Sequence, residues 1–266
     1  MHGTLAPEAL KHSRWRKNLM WYLGQSKALT RASCVIATCE TEYEDIRRVI
    51  RNVPVAIIPH GYDAPETLAD VEMPSRRRVL YLGRIHPIKG IYNLIEAWAA
   101  IEKRFPDWEL HMVGPGRPEH LHETQRQIAS KGLTRAILRE AVYGEQKSRE
   151  YLQSEVYVLP SFSENFAMTV AEALGHETPA IVSKGAPWKR IEEQKCGWWI
   201  DIGVDPLVAA LEQACNSSPA TLSAMGKLGR AWVSDEFCWN KIAVQFRDVY
   251  SWVCELGPVP NFARTI

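Results

Sequence analysis

The residues best suited to chemistry lie in one stretch, Ser161-Phe162-Ser163-Glu164-Asn165-Phe166-Ala167-Met168-Thr169-Val170-Ala171-Glu172. Before it, Val156 to Leu159 is an apolar, β-rich run that Pro160 ends, and from Ala167 to Leu174 the composition is helical. The polar loop between them therefore feeds a helix N-terminus. Main-chain N–H groups there lack intrahelical partners and carry the positive end of the macrodipole, so a phosphate is stabilised without any charged side chain. Glu164 and Glu172, with seven residues between them, place one carboxylate on the loop and the other about two turns down the helix. Both can face one cleft. The plainer alternative stays open: Glu164 complements the helix dipole and Glu172 is a solvated helix residue.

Two further loops offer related chemistry. After the strand-like Val79-Leu80-Tyr81-Leu82 comes Gly83-Arg84-Ile85-His86-Pro87-Ile88-Lys89-Gly90. Gly83 lets a ligand approach the main chain, and Arg84 and Lys89 bracket the start of a helix, which suits a diphosphate. After Leu110 to Val113 comes Gly114-Pro115-Gly116, where missing side chains leave room for a flat ring or a sugar. By itself such a Gly-x-Gly is usually only a turn.

The elements that must position these loops alternate along the chain. Cys34 to Thr38 reads as a strand, Glu42 to Arg51 as a helix and Val55 to Ile58 as a strand; Pro59 to Pro65 then breaks the pattern. Polar residues with Pro65, Pro74 and the basic triplet Arg76-Arg77-Arg78 read as a linker. From Val79 onward strands and helices succeed one another: Ile91 to Arg104 helical, Leu110 to Val113 extended, His120 to Ser130 helical, Ile137 to Val142 extended and Lys147 to Leu152 helical. Val156 to Leu159 and Ala180 to Val182 are further strands, Gly197 to Ile200 is apolar, and Pro206 to Ala214, Ala220 to Ser234 and Trp239 to Val253 are helical. This alternation predicts an α/β fold with a doubly wound, Rossmann-like parallel sheet, whose ligands bind beyond the carboxyl ends of the strands. The expected layout is a partial upstream domain over 1–63, a linker over 64–78, the ligand-binding domain over 79–237, and a C-terminal helix and tail over 238–266.

Composition narrows the class. At 266 residues with 46% hydrophobic content the chain can bury a sizeable core. Lys and Arg total 32 against 31 Asp and Glu, so no global field favours nucleic acid. The six cysteines show neither Cys-x-x-Cys pairs nor disulfide-scaffold density, and a reduced, cytoplasmic setting is expected. No apolar run approaches the roughly 20 residues of a membrane span, and no signal-peptide core follows Met1. Between Lys11 and Arg31 stand six basic residues, no acid, and Trp15, Trp21 and Tyr22. That segment fits peripheral contact with an anionic membrane, or a helix packed on a neighbouring domain with its charges solvated. Among eight histidines only His120 and His122 are closely spaced, with no cysteine near, which is poor material for a metal site. No Gly-x-Ser-x-Gly or Walker loop supports a hydrolase or kinase.

Taken together, these residues resemble the nucleotide-binding half of a GT-B glycosyltransferase, specifically the large retaining family 4, also called group 1. The resemblance runs through Gly83-Arg84, Lys89-Gly90, Gly114-Pro115-Gly116, Pro160-Ser161, Glu164-x7-Glu172-Ala173, Thr178-Pro179-Ala180-Ile181-Val182, Lys184-Gly185-Ala186-Pro187-Trp188 and Cys196-Gly197-Trp198-Trp199, nearly the whole span from Val79 to Val253. It implies a metal-independent transferase, without cofactor, that moves a sugar from a nucleotide-sugar donor to a glycan or lipid acceptor in surface-polysaccharide or lipopolysaccharide assembly. It implies that Arg84 and Lys89 hold the diphosphate and take part in catalysis, that Glu164 orients the donor sugar as a catalytic residue, and that Glu172 accepts the ribose hydroxyls. Gly83, Gly114 and Gly116, with the main chain of Asn165, Phe166, Ala167, Met168 and Thr169, would complete the donor site. A carboxylate accepts two hydroxyls readily, and cations at a helix start offset charge on a departing diphosphate, so both roles agree with the chemistry of the residues.

Two departures from the family accompany the likeness. His176-Glu177 stands where a small residue and Gly are usual, which reads as a surface change. The start, from His2-Gly3-Thr4-Leu5, looks like the last third of an acceptor-side domain whose earlier strands are missing, and His60 only opens the linker. The apolar groups left uncovered imply self-association, a partner chain supplying the rest, or membrane contact through 11–31 at the inner face. They also keep a second function in view, a non-catalytic sugar-nucleotide-binding or partner protein.

Overall fold

The computed structural model describes residues 26–265. They form two compact units, one taking residues up to Gly61, Glu164–Phe166 and everything from Phe237, the other Tyr62–Ser163 and Ala167–Glu236. The expectations for residues 11–25, including the membrane segment's aromatics, lie outside the described residues.

The first unit opens with α1 (Ser26–Thr30), β1 (Val35–Ala37), α2 (Glu40–Val49) and β2 (Val55–Ile57). Helix α2 starts at a cap: the Cys39 sulfur accepts the Glu42 N–H at 3.5 Å, and Glu42 Oε2 accepts the Thr38 N–H at 2.8 Å. Strands β1 and β2 pair in parallel, with Val35 opposite Val55.

The second unit carries β3 (Arg77–Leu82), a 3₁₀ turn (Pro87–Lys89), α3 (Ile91–Ile101), β4 (Trp108–Val113), α4 (Pro118–Ser130), β5 (Ala136–Arg139) and α5 (Gly144–Leu152). It continues with β6 (Val156–Leu159), α6 (Met168–Gly175), β7 (Ala180–Ser183), α7 (Arg190–Glu193), β8 (Gly197–Ile200), α8 (Val204–Asn216) and α9 (Pro219–Glu236). The strands form one six-stranded sheet in the order β5-β4-β3-β6-β7-β8, every pair parallel. Helices cover the central strands on both faces, so Val79 to Tyr81 and Val156 to Val158 are all wholly buried, which is why these stretches read as unbroken apolar runs. Trp98, Tyr81 and Tyr157 are among the largest fully buried side chains, each contributing about 1.5–3 kcal/mol.

Strand order fixes where a ligand can enter. From β3 the chain winds outward through β4 to β5, then crosses back to β6 on the other side of β3 and winds outward again. The carboxyl ends of β3 and β6 are therefore the topological switch point.

The chain then returns to the first unit with α10 (Trp239–Val253) and β9 (Ala263–Arg264), a strand that composition did not reveal. Strand β9 pairs antiparallel with β2, and Ile242 and Val249 of α10 bury against Ala56 and Ile58. Elsewhere, β3 begins at Arg77 although the basic triplet reads as linker. Arg77 is held in the sheet by a bidentate pair to Glu155 (2.8 and 2.6 Å) and lies over the Trp108 ring at 4.1 Å.

Candidate active site

Four strand-end loops meet at the switch point. The loop after β3 is tied to the loop after β4 by Gly83 N–H to Val113 O (3.0 Å) and Ile85 N–H to Pro115 O (2.8 Å). A Cβ on Gly114, whose φ is 153°, would collide with the Gly83 carbonyl, so this crossing needs glycine. The 3₁₀ turn is tied to the loop after β6 by Phe162 N–H to Ile88 O (2.9 Å), and a Cβ on Gly90 would strike the Pro160 carbonyl. From β7, the Ser183 hydroxyl donates to the Ser161 carbonyl.

Charge and dipole gather on this rim. Arg84 is exposed and its carbonyl takes the Tyr81 hydroxyl at 2.8 Å; Lys89 is half-buried at the end of the 3₁₀ turn, whose start is capped by His86 Nδ1 accepting the Ile88 N–H at 3.1 Å. Helix α6 begins at Ala167, which sits at φ 64° and ψ 69° with no side-chain cap. The Val170 N–H turns back to the Ala167 carbonyl at 2.9 Å, so it is the amides ahead of it, at Met168 and Thr169, that a helix start leaves for another acceptor. The Tyr157 hydroxyl, 3.2 Å from Leu82 O and 2.7 Å from Thr169 Oγ1, ties the start of α6 to the end of β3.

Glu172, at the second turn of α6, takes Lys147 Nζ–H at 2.6 Å on Oε1 and the Tyr151 hydroxyl at 2.8 Å on Oε2. It is not an unattended solvated carboxylate. Burial, with the nearby Tyr157 and Glu172 next, holds the Tyr151 phenol well above its ordinary range. Tyr62 is also close: its hydroxyl is buried without a hydrogen-bond partner, and burial, then the Glu172 charge, pushes it upward too. His176 corrects the expectation of a surface change. It is 8% exposed, stacks on Tyr151 at 5.2 Å, and its Nδ1 lies 2.7 Å from the Glu172 carbonyl, so it closes the end of α6.

Gly83, Arg84, Lys89, Gly114, Gly116, Ala167, Met168, Thr169 and Glu172 all belong to the second unit, whereas Glu164, Asn165 and Phe166 belong to the first. There Phe166 meets His60 edge-on at 5.5 Å and Phe237 at 5.4 Å. His120 lies edge-on to His86 at 4.8 Å, and among the described residues no three metal-ligating side chains cluster. Lys147, Tyr151 and Tyr62 were missed by sequence reasoning. Lys147 and Tyr151 stand four apart on one helix face, but nothing local shows that Glu172 lies opposite. A cavity of about 450 Å³ sits at the amino ends of the strands, among Met73, Arg77, Leu152, Glu155 and Leu222, and reaches His176 but not Lys147, Tyr151, Tyr62 or Glu172.

The family model for glycosyl transferases group 1 matches residues 65–232, which lie in the second unit apart from Glu164–Phe166. The chain belongs to the group 1 glycosyl transferases. A D-inositol 3-phosphate glycosyltransferase of Corynebacterium kroppenstedtii is 26% identical over 192 residues, covering 68% of this chain and 41% of that protein. The sucrose-phosphate synthase of Thermosynechococcus elongatus superposes with a TM-score of 0.79 at 25% identity, over 96% of this chain and 66% of that one. Anabaena HepE, solved with UDP and glucose, shares the fold at a TM-score of 0.75 and 19% identity, over 94% of this chain and 70% of that one. The chain spans about half the length of the curated relatives it matches. This group 1 member places its glycine-lined loops at the carboxyl ends of a parallel sheet, and no described helix is long and apolar enough to cross a membrane.

Proposed function

We propose that this group 1 protein is a retaining family 4 transferase that moves a sugar from a nucleotide-sugar donor to a glycan or lipid acceptor, in surface-polysaccharide or lipopolysaccharide assembly. It works in the cytoplasm, peripherally at the inner face of the membrane. The observation that carries the reading is the meeting of the Arg84–Lys89 loop, the Gly114–Gly116 loop and the uncapped start of α6 at the switch point, with Glu172 one step inside.

In the reaction the bond from the sugar's anomeric carbon to the diphosphate breaks, and a bond to an acceptor hydroxyl forms on the same face as that hydroxyl loses its proton. Negative charge grows on the leaving nucleoside diphosphate. In this reading Arg84, Lys89 and the α6 amides offset it, the service a divalent cation performs elsewhere, so the transfer is proposed to need no metal and no cofactor. Glu172 accepts the ribose hydroxyls, the glycines admit the nucleotide against main chain, and Glu164 orients the donor sugar with the main chain of Asn165 to Thr169. A structural neighbour supports a donor of this class, since HepE was solved with UDP and glucose.

Calorimetric titration of nucleoside diphosphates in the presence of chelator tests the site. Binding is expected without metal; binding that appears only after magnesium or manganese is added refutes the metal-free reading. Lys89→Ala should weaken a diphosphate by about ten- to a hundredfold while barely affecting the parent nucleoside, and Glu172→Ala should weaken both. Equal losses for nucleoside and diphosphate in the Lys89 variant would make Lys89 structural. Release of nucleoside diphosphate from nucleotide sugars, followed with and without candidate acceptors, separates a transferase from a binding protein.

A further inference from the structure

Helix α6 does not orient Glu172 by itself. Lys147 and Tyr151, one turn apart on α5, each donate to a different oxygen of its carboxylate, at 2.6 and 2.8 Å. Tyr151 cannot swing away: it is 1% exposed, stacked on His176, and edge-on to Tyr157 at 5.9 Å. A carboxylate oxygen offers two acceptor positions, so one donor on each leaves one on each. Those remaining positions are reachable, since the Glu172 side chain is 20% exposed and that of Lys147 is 30% exposed. One remaining acceptor position on each of two adjacent oxygens matches two adjacent hydroxyls in number and spacing.

We propose that Lys147 is a positioning residue for the nucleoside: with Tyr151 it locks the Glu172 carboxylate in the rotation that accepts both ribose hydroxyls. The inference rests on the assignment of Glu172 to the ribose made above. A glutamate's terminal torsion is broad and roughly twofold, so without the ammonium the Tyr151 bond alone must hold the plane. The carboxylate then loses orientation on ordering around a diol. Lys147 contributes nothing to phosphate binding in this scheme, which separates it from Arg84 and Lys89.

The test is titration of the full chain with ADP, GDP and UDP and with their 2′-deoxy counterparts, comparing wild type, Lys147→Met and Lys147→Arg. The wild type should prefer the ribonucleotide of its best-bound base by about tenfold or more, as expected for a charge-assisted hydrogen bond to a hydroxyl. Lys147→Met should erase most of that preference while weakening the 2′-deoxy compound, which keeps one of the two hydroxyls, by much less than the ribonucleotide, and Lys147→Arg should restore it. Equal losses for both nucleotides in Lys147→Met overturn the proposal, because Lys147 would then serve the phosphates. A preference that survives Lys147→Met overturns it as well. Should that variant fail to fold, Tyr151→Phe removes only the second donor and must lower the same preference, and an unchanged ratio counts against the proposal. A wild type that binds none of these nucleotides, or binds them without preference for ribose, defeats the Glu172 assignment itself and the inference with it.

Discussion

Helix α5 serves two glutamates, and their surroundings are opposite. Glu150, on the helix, is 5% exposed; its Oε1 takes Arg139 at 2.7 Å and its Oε2 lies 3.5 Å from Arg78, itself 7% exposed. Arg78 continues to Glu109 at 3.5 Å, and Glu109 meets His111 Nε2 at 2.8 Å. Glu172, facing the helix, has one donor per oxygen and an open side. Both carboxylates are paired with a cation, so pairing does not distinguish a structural carboxylate from a binding one. Unused acceptor positions within reach of solvent do.

The largest expected effect breaks the closed member of this pair. Glu150→Ala leaves Arg78 buried with half its partners, which costs about 3–5 kcal/mol, whereas Glu172→Gln, at a half-open site, costs less than about 1 kcal/mol. Urea titration of the two variants measures the difference. Similar midpoints for both would show that the Glu150 network is no more structural than the Glu172 one.

A smaller effect comes from the same network through pH. Burial first, then the Arg78 charge, lowers His111 from its ordinary 6.5 to about 4. The folded protein therefore resists a proton that the unfolded chain accepts. The His111 contribution is complete above about 6.5 and is lost as pH falls from there towards about 4. Unfolding free energy of the wild type should thus decline over that window more steeply than that of His111→Gln, measured in urea at half-unit pH steps. Parallel curves would mean that His111 titrates normally in the folded state.

The contrast also marks what the amino-acid order could reveal. Buried parallel strands such as Val79 to Leu82 and Val156 to Leu159 are legible because both faces need apolar groups, whereas Gly114, read from sequence as room for a ligand, is required where its main chain crosses that of Gly83. The closed network was hidden. Arg76-Arg77-Arg78 looks like a solvated linker until Glu155, Glu109 and Glu150, 31 to 78 positions away, come alongside. Strand β9 is two residues long and exists only through pairing with β2, so no periodicity announces it. His176 gives no local sign of burial, because its cover is Tyr151 from another helix.

The smallest expected effect sharpens the comparison at the open member's own helix. Ala167 begins α6 at φ 64°, a left-handed conformation in which its Cβ crowds the following carbonyl, at a cost of roughly 1–2 kcal/mol. Glycine there escapes that crowding but gains freedom in the unfolded chain, worth about 0.4–1 kcal/mol against it. Ala167→Gly should therefore stabilise the protein by about 1 kcal/mol or less, and it should do so without touching Glu150, since α5 and β5 are unchanged. Glu177, at φ 61° just past the other end of α6, provides the control: its carbonyl is packed where a Cβ on Gly226 would stand, so Glu177→Gly relieves the same kind of strain at the end remote from the proposed phosphate site. If both variants gain stability while only Ala167→Gly changes diphosphate affinity, the strained start of α6 belongs to the anion site. If Ala167→Gly destabilises the fold, the methyl group is held by packing that outweighs its backbone strain, and the start of α6 is set by side-chain contact instead of by the turn.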